Sequence, residues 1–419
     1  MGDHPVTLVS FVGTGMFQPS SNGMGRYRET VYRFPDGTIS KRVSLFVQAL
    51  LDDMKGQITK VILIGTNTSS WDALVPEKEG KNTELWVRLN DLCEVGKKGI
   101  DTASTKELKT CLETYYGILF DILHHDDNLD ESNIASVMQL YSSVITLIPP
   151  NSKLLLDITH GFRTMPLLLF QALQTYACEI VPELVTVVYG EYRQGEKESM
   201  VREFPELWKL SEIQRSVYTF KNTFDGEKLA ESLDALQDES KLGDWVRTFS
   251  QLVQMNYVMQ IGQSIRQLHN LLGKETENSQ YAWRNEVVHY LCGLEKQLQQ
   301  TRLSDQLLAF GRILFDHGLT MQAVISLRVA VETRVAEVMK QGIGDYALWD
   351  KNGDGQGFLY DACQGKGNLW DTLEKLRKDR NLIAHAGGEK YKNPPVVQAI
   401  PFDVYVKAVE KLFSLKGML

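Results

Sequence analysis

Four short apolar runs dominate the first 190 residues. Val6-Thr7-Leu8-Val9-Ser10-Phe11-Val12 ends in Gly13-Thr14-Gly15, and residues 60–65 (KVILIG) lead into Thr66-Asn67-Thr68-Ser69-Ser70. Residues 153–159 (KLLLDIT) run into His160-Gly161-Phe162-Arg163, and residues 185–190 read VTVVYG. Runs this short, rich in Val, Ile and Leu and bounded by turn residues, predict strands buried on both faces. Between them, apolar residues recur at helical spacing over 40–54 (Val43, Phe46, Val47, Leu50, Leu51), 106–123, 132–147 and from 164 to 176. Residues 28–34 (RETVYRF) alternate like a strand and enter the turn Pro35-Asp36-Gly37. Apolar strands alternating with helices predict an α/β layer around a mainly parallel sheet.

The pattern changes after about Val201. From Phe204 onward helical spacing prevails, most clearly over 306–317, 320–341, 369–386 and 403–415. The expected organisation is an α/β domain over 1–203 and an all-α region over 204–419. A chain of 419 residues, 43% hydrophobic, has ample core for two or three domains. Its net charge of −8 excludes a broadly basic nucleic-acid surface, so any such contact must be local, shared between chains, or made to a short ligand. The five cysteines are scattered and lack CxxC spacing, which predicts neither disulfide framework nor zinc site and fits a reducing cytoplasm. No signal peptide is expected, and the most apolar window, 154–177, carries Asp157, His160 and Arg163, which argues against a membrane span.

In an open parallel sheet, ligands bind beyond the carboxyl ends of the strands. Three strand ends here offer small or hydroxylated residues: Gly13, Thr14 and Gly15; Thr66, Asn67, Thr68 and Ser69; Asp157, Thr159, His160 and Gly161, with Arg163 close behind. Backbone N–H groups, hydroxyls and helix N-termini gathered on one edge suit phosphates. No P-loop or GxGxxG is present, so an ordinary nucleotide site is poorly supported. In the third loop two readings stand. Asp157 caps the turn and His160 is a satisfied structural histidine, or the group is a ligand clamp with Arg163 near phosphate or base.

Asp157-Ile158-Thr159-His160-Gly161 resembles the D-x-T-H-G signature of ancillary effectors of type III CRISPR systems, which are built on a CARF (CRISPR-associated Rossmann fold) domain. The opening strand, its Gly-Thr-Gly turn and Tyr32-Arg33-Phe34 are similar to the same family's N-terminus. The resemblance covers roughly the first 200 residues. It implies a Rossmann-like dimer whose strand-end loops bind a cyclic oligoadenylate second messenger, with four adenylates the expected ring. A symmetric ring suits a two-fold interface.

The C-terminal region carries Asp379-Arg380-Asn381-Leu382-Ile383-Ala384-His385, followed by Ala386-Gly387-Gly388. Leu369, Leu373, Leu376 and Ile383 form one apolar row of a helix, and Arg380 falls in that row. A charge at a core position needs a partner or a task. His385 lies five residues on, about 140° around a straight helix, so the two converge only where the helix is irregular or where two copies meet. The segment resembles the R-x4-6-H motif of HEPN ribonucleases, with Asn381 as the polar residue after the arginine. That resemblance implies a composite, metal-independent site made by two protomers, with no cofactor. In it, His385 acts as general acid or base, Arg380 stabilises phosphoryl charge, and Asn381 orients the phosphate or the histidine. The expected substrate is single-stranded RNA; DNA lacks the 2′-hydroxyl nucleophile.

Arg284-Asn285-Glu286-Val287-Val288-His289 has the same spacing, but Glu286 would face an incoming phosphate. Asp350-Lys351-Asn352-Gly353-Asp354-Gly355, with Asp361, matches part of a calcium loop, although a flexible glycine-rich loop is the preferred reading. His124-His125-Asp126-Asp127 reads as a polar helix end. The expected protein is a cytoplasmic CARF–HEPN homodimer, or higher homo-oligomer, that binds cyclic oligoadenylate and cuts RNA. Three alternatives stand beside it: a sensor without ribonuclease activity, a protein that also degrades its own ring ligand through Thr159 or His160, and a small-molecule enzyme with His160 as base.

Overall fold

A computed structural model describes residues 5–13, 17–18, 26–27, 29–93, 98–126, 134–150, 152–161, 164–175, 185–192, 196–236, 241–273, 281–340, 349, 354–384 and 401–418. The chain divides into two compact units, Met1–Glu212 and Ile213–Leu419.

The first unit runs β1 (Val6–Val12), β2 (Phe17–Gln18), β3 (Arg26–Tyr27), β4 (Tyr32–Arg33), α1 (Phe46–Asp53), β5 (Ile58–Thr66), α2 (Thr83–Cys93) and α3 (Thr102–Tyr116). It continues with β6 (Leu119–His125), α4 (Ile134–Leu147), β7 (Lys153–Asp157), α5 (Thr164–Thr175), β8 (Val185–Glu191) and β9 (Ser199–Phe204). Helix α6 (Glu206–Thr223) follows. Among the described residues, seven strands form one sheet in the order β4-β9-β8-β7-β1-β5-β6, while β2 and β3 pair separately. Strands β8, β7, β1, β5 and β6 are mutually parallel, and β9 runs antiparallel to β8.

Strand alternation sorts the core into two layers. Leu8, Val61, Leu63 and Leu155 pack towards α1, α2 and α3, together with Phe46, Leu50, Leu89 and Leu108. Val9, Phe11, Ile62, Ile64, Leu154 and Leu156 pack on the other face, against Val137 and Tyr141 of α4 and Leu169 and Leu173 of α5. From β1 the chain adds β5 and β6 outward on one side, then β7 and β8 on the other. The strand order therefore reverses between β1 and β7, the place where a doubly wound sheet opens a crevice.

Two expectations about the first unit are corrected. Residues 106–123 are not one helix: α3 stops at Gly117, whose φ of +71° makes the left-handed C-cap, and β6 begins two residues later. The short run of β6 carries no helix-versus-strand signature of its own, so its pairing with β5 decided it. Of the strand expected over 28–34, the described residues form only the two-residue β4, with isolated bridges from Thr30 to Val43 and from Arg33 to Ile39. Strand β9 and helix α2 lay outside the sequence reading.

The second unit is helical: α7 (Glu227–Asp234), α8 (Leu242–Gln254), α9 (Ile261–Leu272), α10 (Ala282–Leu298), α11 (Leu303–Asp316), α12 (Thr320–Val338), α13 (Gly355–Cys363), α14 (Leu369–Ala384) and α15 (Phe402–Phe413). One core joins Phe249, Leu291, Phe310, Leu327, Val331, Leu376 and Leu412. Helix α13 replaces the glycine-rich loop expected there. Asp361 is exposed on that helix rather than at the end of a metal-binding loop, and Asp350 to Gly353 lie outside the described residues.

Candidate functional site

The crevice between β1 and β7 is where Asp157 sits. Its carboxylate is 0% exposed. Ser10 of β1 donates to Oδ2 at 2.6 Å, and the Thr159 N–H donates to Oδ1 at 2.8 Å. Burial raises its pKa, while these hydrogen bonds pull the other way. The neighbouring residues are also committed. Thr159 Oγ1 accepts the Gly190 N–H at 2.8 Å, and His160 Nε2 accepts the Phe46 N–H, at the start of α1, at 3.0 Å. An Nε2 that accepts carries no proton, so the ring is neutral with its proton on Nδ1. Burial lowers the His160 pKa and favours the same state. Gly161 turns the chain at φ +98°, and a Cβ there would stand 3.1 Å from that of Phe11.

The five residues thus lace four segments together: β1 through Ser10, β8 through Gly190, α1 through Phe46, and β7 itself. Both readings of the loop bear on this result. The side chains of Asp157, Thr159 and His160 serve the fold, and by doing so they hold the strand edge in one shape.

The loop after β5 is stitched in the same manner. Ser69 Oγ donates to the Val12 carbonyl at 2.7 Å and accepts the Thr66 N–H at 2.8 Å. The Ser70 N–H donates to the Gly13 carbonyl at 2.9 Å. Asn67 Oδ1 meets His124 Nδ1 at 2.7 Å, and the Asn67 N–H donates to the His125 carbonyl. Thr66 and Ser69 are buried, whereas Gly13, Asn67 and Thr68 are half-buried. His124 and His125 end a strand, not a helix. Thr14, Gly15 and Arg163 lie outside the described residues.

Sequence reasoning missed Ser10, Tyr32, Phe46, His124 and Gly190 at this edge. Ser10 had a signal: it is polar on the face that Leu8 and Val12 bury. Tyr32 packs its ring against Phe46 at 4.7 Å between centroids, and burial, then the Asp157 charge, raise its pKa.

In the second unit, Leu369, Leu373 and Leu376 of α14 are buried as the spacing predicted. Arg380 continues that row half-buried, and the structure supplies its partner: Nη2 donates to Glu332 Oε1 of α12 at 3.0 Å. The same oxygen accepts Arg328 Nε at 2.7 Å. Arg377 donates through Nε to both Glu374 oxygens at 2.9 and 3.1 Å, and Tyr405 donates to Asp379. Asn381 is half-buried, and His385 lies outside the described residues. The rival pair divides as the 140° argument requires: Arg284 is buried within α10, His289 is exposed, and Glu286 is paired with Lys221 at 2.9 Å.

Comparison with known proteins agrees with this architecture. Residues 7–190 match the family described as the CARF domain of CRISPR system endoribonuclease Csx1. Residues 209–305 match the second domain of CRISPR-associated protein MJ1674. The N-terminal unit is therefore a CARF domain, joined to a helical C-terminal region. The two matches cover successive parts of the chain, and both families are CRISPR-associated. A curated relative, CRISPR-associated protein MJ1674 of Methanocaldococcus jannaschii, is 22% identical over 400 residues, covering 87% of this chain. The chain spans 60% of that relative's length. A solved structure, Enterococcus italicus Csm6 bound to cyclic hexa-2'-fluoro-hexa-dAMP, is 12% identical at a TM-score of 0.36, covering 99% of this chain and 95% of that one. Among the described residues no helix is long and apolar enough to cross a membrane.

Proposed function

We propose that this protein is a cyclic oligoadenylate-activated, metal-independent endoribonuclease of type III CRISPR defence, working as a homodimer. The observation that carries the reading is Arg380. It is a guanidinium in the apolar row of α14, with one hydrogen bond among the described residues and His385 five positions on, in a chain whose other unit is a CARF domain. In the proposed chemistry the 2′-hydroxyl of RNA loses its proton and attacks the adjacent phosphorus. The P–O5′ bond breaks, leaving a 2′,3′-cyclic phosphate and a 5′-hydroxyl. His385 moves the proton, Arg380 holds the charge that grows on the phosphoryl oxygens, and Asn381 orients the phosphate. The ring ligand sits on the strand-end loops that carry Gly13, Thr66 to Ser69 and Gly161, whose shape Asp157, Thr159 and His160 hold; Thr14, Gly15 and Arg163, outside the described residues, are further candidate contacts.

The same geometry weighs against two alternatives. Degradation of the ring by His160, and small-molecule catalysis with His160 as base, both need the Nε2 lone pair, which already accepts the Phe46 N–H.

The test is RNA cleavage in EDTA with rings of three, four and six adenylates. We expect cleavage with the four-membered ring and none of a DNA of the same sequence. Arg380→Ala and His385→Ala should each lose roughly 10²-fold or more. His289→Ala should cut as the wild type does. No cleavage with any ring, or full activity in His385→Ala, overturns the assignment.

A further inference from the structure

Arg328 is 3% exposed in α12, where a helix of a bundle ordinarily buries an aliphatic side chain. The Trp349 ring covers it at 4.9 Å from the guanidinium carbon, and Glu332, one turn on, accepts its Nε. A buried ion pair is a weak source of stability, because desolvating the two charges consumes most of their attraction. Stability alone is thus a poor reason for this pair, and its other contact supplies a better one. Glu332 Oε1 is shared with Arg380, so the buried arginine anchors the glutamate and the glutamate grips the arginine of α14.

Exposure rises along the relay: the side chain of Arg328 is at 3%, Glu332 at 21% and Arg380 at 29%. Among the described residues Arg380 spends one N–H, on Glu332, and its Nε is buried without a partner. A guanidinium fixed at one corner, with donors unspent, is prepared to receive a phosphodiester without first losing its own rotamer freedom.

We infer that Glu332 is a positioning residue for RNA cleavage: anchored by Arg328, it presets the guanidinium of Arg380 for the scissile phosphate. The inference rests on the ribonuclease assignment above. Glu332 touches no reacting atom. It acts through Arg380, so its loss should lower turnover more than RNA affinity.

The experiment is steady-state cleavage by the full chain with its ring activator, comparing Glu332→Gln, Glu332→Ala, Arg380→Ala and Glu410→Gln. The last removes an exposed ion pair with Arg312 in the same bundle and should match the wild type. Glu332→Ala should lose roughly 10²-fold in kcat with KM changed less than about threefold, as expected when a reacting group is misplaced. Glu332→Gln should fall between, because its amide oxygen still accepts one guanidinium N–H. It is isosteric, so circular dichroism and melting can show that the fold is intact. Wild-type kcat in both Glu332 variants overturns the role. So does a rise in KM with kcat unchanged, or a loss of kcat that only follows the unfolded fraction. If Arg380→Ala cuts RNA at the wild-type rate, the nuclease assignment itself fails and the role of Glu332 falls with it.

Discussion

Asp157, Thr159 and His160 show how polar residues at a strand end can do structural work. Each polar atom is tied to a segment distant in sequence, and the result is a fixed edge. His160 gives this a pH signature. Burial holds its folded pKa below the ordinary 6.5. In the window just below 6.5 the unfolded chain binds a proton that the folded chain does not, so stability is present above 6.5 and is lost as pH falls from there towards the folded pKa. His124 is depressed by burial and by His125, and adds with the same sign. Asp157, raised above 3.8, has the opposite sense: its contribution is present below 3.8 and is lost as pH rises through its folded value. The expected outcome concerns the difference between two proteins. In urea titrations across pH 7.5 to 5.5, roughly the span around an unperturbed histidine, the wild type should lose stability relative to His160→Gln as the pH falls. Parallel curves would show that His160 is not held neutral.

At the scale of elements, β7 and β8 meet α1 through Gly190. The Thr159 hydroxyl accepts its N–H, and a Cβ added there would lie 2.6 Å from the Tyr32 ring and 3.1 Å from Phe46. Gly190→Ala should therefore cost about 1–3 kcal/mol, as overpacking does, measured by chemical denaturation. A neutral substitution would mean that Tyr32 moves freely. The element boundaries that escaped the sequence have a common cause. Strands β6 and β9 lie at or near the sides of the sheet, and only the partner strand distinguishes their short runs from helix or loop. The buried strands β1, β5, β7 and β8 were legible because burial on both faces writes a continuous apolar run. In α14 the row from Leu369 to Leu376 was legible for the helical equivalent of that reason, and Arg380 was conspicuous as its exception.

For the molecule as a whole, the CARF unit offers a direct measurement. A ligand that binds only the folded state stabilises it by mass action. Cyclic tetra-adenylate at about 100 times its Kd should add about 2.7 kcal/mol to that unit, read as an upward shift in melting temperature. Linear oligoadenylate of the same length should shift it less. An equal shift would remove the case for a ring-shaped site.

The sequence by itself determined the alternation of strand and helix, the change to helices after the sheet, the loop Asp157 to Gly161 and the misplaced charge of Arg380. These are local patterns, and local periodicity records burial directly. Only the tertiary structure decided what those groups do. The Ser10–Asp157 hydrogen bond joins residues 147 apart, and the Glu332–Arg380 pair joins residues 48 apart. Periodicity along the chain says which residues are buried but not which of them meet. The order of the strands ties Asp157, Thr159 and His160 into one edge, and the packing of α12 on α14 gives Arg380 its partner in Glu332.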